Sequence, residues 1–128
     1  MNILYKYPRV FIMSLFVLSS VACKQKVIDN NEKLHGDWQI LEAYRNGRKT
    51  VTLEKVYFKF WNGDSIQTNF TGDEISAEYY IKDDSIVIKQ KYPSFKVLYL
   101  NDDTLNLKTT IMGKNFTLIM LNTKNRNK

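Results

Sequence analysis

The chain has 128 residues, of which 44% are hydrophobic and 25% charged, and its 19 Lys and Arg against 13 Asp and Glu give a formal charge of +6. This is the composition of one ordinary globular domain, with no low-complexity tract and no second domain. One cysteine and one histidine exclude an intramolecular disulfide and a Cys- or His-cluster metal site.

Lys6 and Arg9 precede an uncharged, mostly apolar run, Val10 to Val21, which ends at Ala22 and Cys23. The run is far shorter than the ~20 residues that cross a bilayer as a helix, so residues 1–22 are expected to be a secretory signal peptide. The segment from Leu18 to Cys23 resembles a bacterial lipobox, with Ser20 where that pattern prefers leucine. The resemblance implies that Cys23 is acylated and is the first mature residue, a membrane anchor in the cell envelope, on the outer membrane by preference. Ser20-Val21-Ala22 also satisfies the small-x-small rule of plain secretion to the periplasm. Without Lys6 and Arg9 the chain keeps 17 basic and 13 acidic residues, a mild +4, and Lys24 and Lys26 would assist an anchor on anionic lipid. Residues 23–33 form a polar linker, with one helical turn expected over Asn30 to Leu34 and Leu34 docking on the core.

At Leu34-His35-Gly36-Asp37-Trp38 the polar leader gives way to alternating strands. Gly36 supplies backbone freedom for a tight entry, and Trp38 offers a large apolar surface with one N–H to satisfy. Leu34, Gly36 and Trp38 match the Leu-x-Gly-x-Trp opening of the bacterial lipocalin-like domains, and over residues 34–122 the chain resembles that family of small lipoproteins. The resemblance implies a barrel that binds a small hydrophobic molecule.

The alternation itself predicts eight strands: Asp37 to Tyr44, Leu53 to Trp61, Ser65 to Phe70, Ile75 to Lys82, Ser85 to Lys91, Phe95 to Leu100, Thr104 to Met112 and Phe116 to Leu121. Asn46-Gly47, Asn62-Gly63 and Gly113 are turn signals, and Tyr44 to Leu53 reads as the longest loop, at the mouth. Pro93 lacks a ladder N–H and belongs to a connection. The sixth run, after Lys96, is apolar on both faces. Residues 123–128 are a polar tail. Turns of two to four residues require antiparallel neighbours, and a sheet without covering helices protects its edges best by closing. The expected fold is therefore all-β, an eight-stranded antiparallel up-and-down barrel, an open OB-type barrel or a sandwich being the alternatives should two runs fail to be strands.

Little in the chain promises catalysis. His35 lacks triad partners nearby and reads as an exposed or edge-capping imidazole. The acidic pairs Asp73-Glu74, Asp83-Asp84 and Asp102-Asp103 all fall at turns, where Asp bonds local backbone N–H groups. No phosphate loop, dinucleotide fingerprint or nucleophile elbow is present, so a non-enzyme without cofactor or metal is expected. The outward row Lys55, Tyr57, Lys59, Trp61 mixes basic and aromatic side chains as nucleic-acid platforms do. Export argues against nucleic acid, leaving a solvated face or a surface that docks a protein or a sugar. The candidate ligand-binding residues are the inward ones: Trp38, Ile40, Phe58, Phe60, Phe70, Tyr79, Ile88, Leu107 and Phe116. So much ring volume favours a filled lower half and a shallow cup at the mouth. An envelope interaction or inhibitor module, docking an envelope protein, is the other reading.

Overall fold

A computed structural model describes Ile28 and residues 31–123. The expected signal peptide, Cys23, most of the linker and residues 124–128 lie outside the described residues. A 3₁₀ turn, Asn31–Leu34, leads into nine strands: β1 (Gly36–Arg45), β2 (Arg48–Thr50), β3 (Tyr57–Trp61), β4 (Ser65–Thr68), β5 (Ile75–Lys82), β6 (Ser85–Ile88), β7 (Phe95–Leu100), β8 (Thr104–Ile111) and β9 (Lys114–Asn122). Every pairing is antiparallel, and all join chain neighbours except β1 with β3 and β1 with β9, the last of which closes the sheet on itself.

Nine strands make eight staves, because β2 and β3 flank the same side of β1. The first half of β1 pairs with β3, from Gly36 opposite Phe60 to Gln39 opposite Tyr57, and its end pairs with β2, from Ala43 opposite Thr50 to Arg45 opposite Arg48. The stave is interrupted by a turn over residues 51–55. Two expectations are corrected here: residues 48–50 are strand rather than loop, and Leu53 to Lys55 are turn rather than strand.

The hairpins follow their turn chemistry. Asn46-Gly47, Asp83-Asp84 and Met112-Gly113 are two-residue connections in which both residues have positive φ, the backbone hand that matches strand twist. Asn and Asp tolerate this conformation; Met112, at φ 51° and 94% exposed, takes it because Gly113 completes the turn. The last hairpin thus turns at 112–113, and β9 starts at Lys114 rather than at Phe116. The third expected strand stops at Thr68 and the fifth at Ile88, so Phe70 and residues 89–91 lie in loops.

Two irregularities reshape the long staves. Leu41 is an extra residue on β1 between the pairs Ile40 to Met120 and Glu42 to Ile119, and Leu98 is extra on β7 between Val97 to Leu107 and Tyr99 to Asn106. Each bulge leaves a leucine 53% or 44% exposed. The apolar stretch of β7 is apolar on both faces for this reason: Phe95 and Val97 point in, while Leu98 and Tyr99 are exposed.

Gly36 opens β1 at φ 135°, and a Cβ built on it would lie 2.9 Å from Asn122 Nδ2. Only glycine gives both that conformation and that approach. The 3₁₀ turn then closes the lower end: Leu34 is fully buried, and its carbonyl accepts the Trp38 indole N–H at 2.7 Å. The helical turn and the docking of Leu34 are as expected.

Candidate functional site

The barrel interior is built from inward residues of every long stave. Of the nine expected to line it, Trp38, Phe58, Phe60, Phe70, Tyr79, Ile88 and Leu107 are buried, and Ile40 and Phe116 are half-buried against the same core. Ile40 lies beside the bulge at Leu41, at the level where neither β2 nor β3 pairs with β1. Phe95, at the centre of the aromatic packing, was not among the expected residues. Its only signal was a place just after Pro93 and Ser94 in a run whose two faces sequence alternation does not distinguish.

The rings form one continuous stack from the lower end to the upper. Tyr79 meets Phe60 edge to face at 5.3 Å, Phe60 lies parallel to Phe58 at 6.3 Å, and Phe58 receives the edge of Phe95 at 5.0 Å. Phe70 then meets Phe95 at 5.1 Å and Phe116 at 6.0 Å, both near perpendicular. Such edge-to-face pairs are favourable beyond their burial and fill volume efficiently. Ile66, Ile86, Leu105, Leu118 and Met120 are also fully buried, so side chains occupy the lower and middle interior.

The upper end is different in construction. Among the interior rings, Phe70 alone is carried by the loop 69–74 instead of a strand, apart from half-buried Tyr92 beside Phe95. The loop is fastened by Asn69, whose Oδ1 accepts the Tyr57 N–H at 3.0 Å and whose Nδ2 donates to the Lys55 carbonyl at 3.2 Å. Thr68 Oγ1 donates to the Tyr57 carbonyl and accepts the Phe70 N–H, while the Thr71 N–H donates to the Tyr92 hydroxyl at 3.2 Å. Glu74 receives hydrogen bonds from Gln67 and from Tyr57, and the Tyr57 hydroxyl beside that carboxylate is pushed up to about 12.

Electrostatically the interior is nearly blank. Among the described residues two buried side-chain polar atoms lack a hydrogen-bond partner, Asn106 Oδ1 and the Tyr79 hydroxyl. Burial, with a smaller push from the Asp64 carboxylate, raises the Tyr79 hydroxyl to about 12, and that hydroxyl is the one on the inward face. It therefore stays neutral across ordinary pH. The interior is lined mostly by apolar side chains, with the buried polar residues Thr68, Thr109 and Asn122 and the neutral Tyr79 hydroxyl among them.

The remaining residues singled out by sequence are placed as follows. His35 Nε2 accepts the Gly63 N–H at 3.0 Å, tying the entry of β1 to the β3–β4 hairpin, which is the edge-capping role. Asp83 and Asp84 form a turn, and Asp84 Oδ1 accepts the Ile28 N–H at 3.2 Å. Asp102 and Asp103 lie in the β7–β8 turn, where Asn101 Oδ1 accepts the N–H groups of Asp103 and Thr104. Lys59 Nζ stands 5.5 Å from the Tyr57 ring centre on the outer wall.

No family model matches the chain, and neither does any curated protein. Two solved structures are similar. A lipocalin-like protein from Bacteroides uniformis is 20% identical with a TM-score of 0.48, the match covering 70% of this chain and 98% of that one. An uncharacterized protein from Bacteroides eggerthii is 18% identical with a TM-score of 0.47 and the same coverage. The structure of this chain is the closed antiparallel up-and-down barrel of eight staves expected from its strand pattern, entered through Leu34, Gly36 and Trp38.

Proposed function

We propose that this protein is a non-enzymatic barrel of the bacterial cell envelope, tethered by acyl chains on Cys23, that takes one small apolar molecule at the Phe70 end of its interior. The observation that carries the reading is that Phe70 is an interior ring mounted on a loop. Moving that loop breaks the few hydrogen bonds of Asn69 and Thr71 and leaves the rings of Phe58, Phe95 and Phe116 facing a shallow apolar cup. Because the lower interior is packed with its own side chains, the cup suits a compact ligand and leaves no room for a long acyl chain.

Titration with a hydrophobic fluorophore and with short and long fatty acids tests this. Compact ligands are expected to bind weakly, and Phe70→Ala to strengthen their binding by removing the ring that fills the cup. A stoichiometric, tightly held long-chain lipid would overturn the filled-barrel argument. The same packed interior favours a second reading, an envelope interaction module that docks a protein partner, and absence of binding by both wild type and Phe70→Ala would promote it. For the tether, Cys23→Ala is expected to move the protein from the detergent phase to the aqueous phase and to lower its intact mass by the acyl groups. Identical partitioning of the two would leave plain secretion.

A further inference from the structure

The lower outer wall holds a depression of about 530 Å³ where β1, β3 and β4 meet, lined by residues including His35, Asp37, Lys59, Trp61, Asn62 and Gln67. Its size falls within the range of small-molecule sites, about 300–1,000 Å³. Trp61 ends β3 and is 38% exposed, so part of the indole is open to solvent beside the depression. Asp37 and Lys59 are direct partners across β1 and β3, and Lys59 is in turn opposite Gln67 on β4, so one carboxylate, one ammonium and one amide stand in a row across three strands.

These polar groups are largely uncommitted. Among the described residues, Asp37 and Asn62 have no side-chain hydrogen bond or ion pair, and the Lys59 ammonium has only the Tyr57 ring. Gln67 donates its amide N–H to Glu74, which leaves the carbonyl oxygen to accept, and His35 spends Nε2 on the Gly63 N–H. An aromatic plane beside a row of unspent, short-range donors and acceptors is the recognition chemistry of a sugar ring: C–H groups of one face lie on the indole, and vicinal hydroxyls bridge a carboxylate, an amide and an ammonium. The single acid and single base opposite each other cancel, which disfavours an anionic sugar.

We propose that this depression is a binding site for a neutral saccharide, separate from the apolar cup at the other end of the barrel. Calorimetric titration of the full chain in detergent with cellotriose, chitotriose and maltotriose is the test, with a trigalacturonate as the acidic comparison. Saturable binding of at least one neutral trisaccharide is expected, weakened about tenfold or more by Trp61→Ala and by Asp37→Ala, and unchanged by Phe70→Ala, which acts on the other end. Emission from Trp38 reports whether the Trp61 variant is folded, and Lys59→Ala serves as an independent variant of the same row. No heat with any neutral trisaccharide, equal binding by wild type and a folded Trp61→Ala, or tighter binding of the trigalacturonate would each overturn the proposal.

Discussion

Replacing Trp38 with alanine removes the largest side chain of the core from a site with no solvent exposure. Two separable losses follow from its surroundings. The ring stands opposite Phe58 on β3 and Asn122 on β9, so its removal opens a void at the junction of three strands just above the 3₁₀ turn. Emptying a large aromatic from such a place costs about 3–5 kcal/mol. The indole N–H also satisfies the Leu34 carbonyl at 2.7 Å, and that buried acceptor would lose its donor, a loss of about 1–3 kcal/mol contained within the total. Trp38→Phe separates the two, since it keeps most of the volume and discards the donor. Urea denaturation followed by far-UV circular dichroism reads both variants, because that signal does not depend on the deleted fluorophore. The alanine variant is expected to lose a large part of a stability that for a domain of this size is about 5–15 kcal/mol, with a Tm lower by roughly 12 °C or more. The phenylalanine variant is expected to lose less than half as much. A loss below about 1 kcal/mol for Trp38→Ala would refute the claim that this residue anchors the lower end, and equal losses for Ala and Phe would shift the weight from ring volume to the hydrogen bond.

Gly36→Ala is expected to destabilise by about 1–3 kcal/mol, because it forces a side chain into positive φ and against Asn122, and thermal unfolding of the variant checks it. Tyr79→Phe is expected to be neutral or mildly stabilising, since it deletes a buried hydroxyl that has no partner; a loss above about 1 kcal/mol in chemical denaturation would mean the hydroxyl is satisfied after all. The same residue sets an alkaline limit. Its folded pKa of about 12 lies above the ordinary value near 10, so the neutral form is favoured in the fold. That contribution is complete below pH 10 and is lost as pH rises towards 12. Wild type should therefore lose more stability than Tyr79→Phe between pH 10 and 12, and parallel curves would refute the assignment.

Much of the barrel was legible because its signals are local. Asn46-Gly47 and Asn62-Gly63 announce turns, and the alternation Val56, Phe58, Phe60 names an inward face that the structure keeps. What escaped prediction depends on partners distant in sequence. Alternation carries Phe70 inward although β4 has already ended at Thr68, because side-chain burial continues past the last ladder pair. Nothing in the residues of β1 or β7 tells that Leu41 and Leu98 are extra, since a bulge exists only relative to the strand opposite. The lower outer depression was legible only in part: the row with Tyr57, Lys59 and Trp61 was visible as a pattern, but its neighbours Asp37 and Gln67 come from strands whose register no single run contains.

The staves are not equally joined. β6 meets β7 at two residue pairs, Ser85 with Lys96 and Ile86 with Phe95, supplemented by the Val97 N–H donating to the Asp84 carbonyl, whereas β8 and β9 share eight pairs. A ring under thermal agitation opens where the fewest bonds must break, so amide hydrogens that bond across the seam between β6 and β7 exchange with solvent ahead of those between β8 and β9. Opening there turns a closed wall into an open sheet with two bare margins, each able to recruit the margin of another molecule. The margins come armed against this. Lys91 lies just beyond β6, and exposed Lys96 stands on β7 opposite Lys108, a like-charge pair that costs the closed ring a little and repels any second copy that approaches the breach.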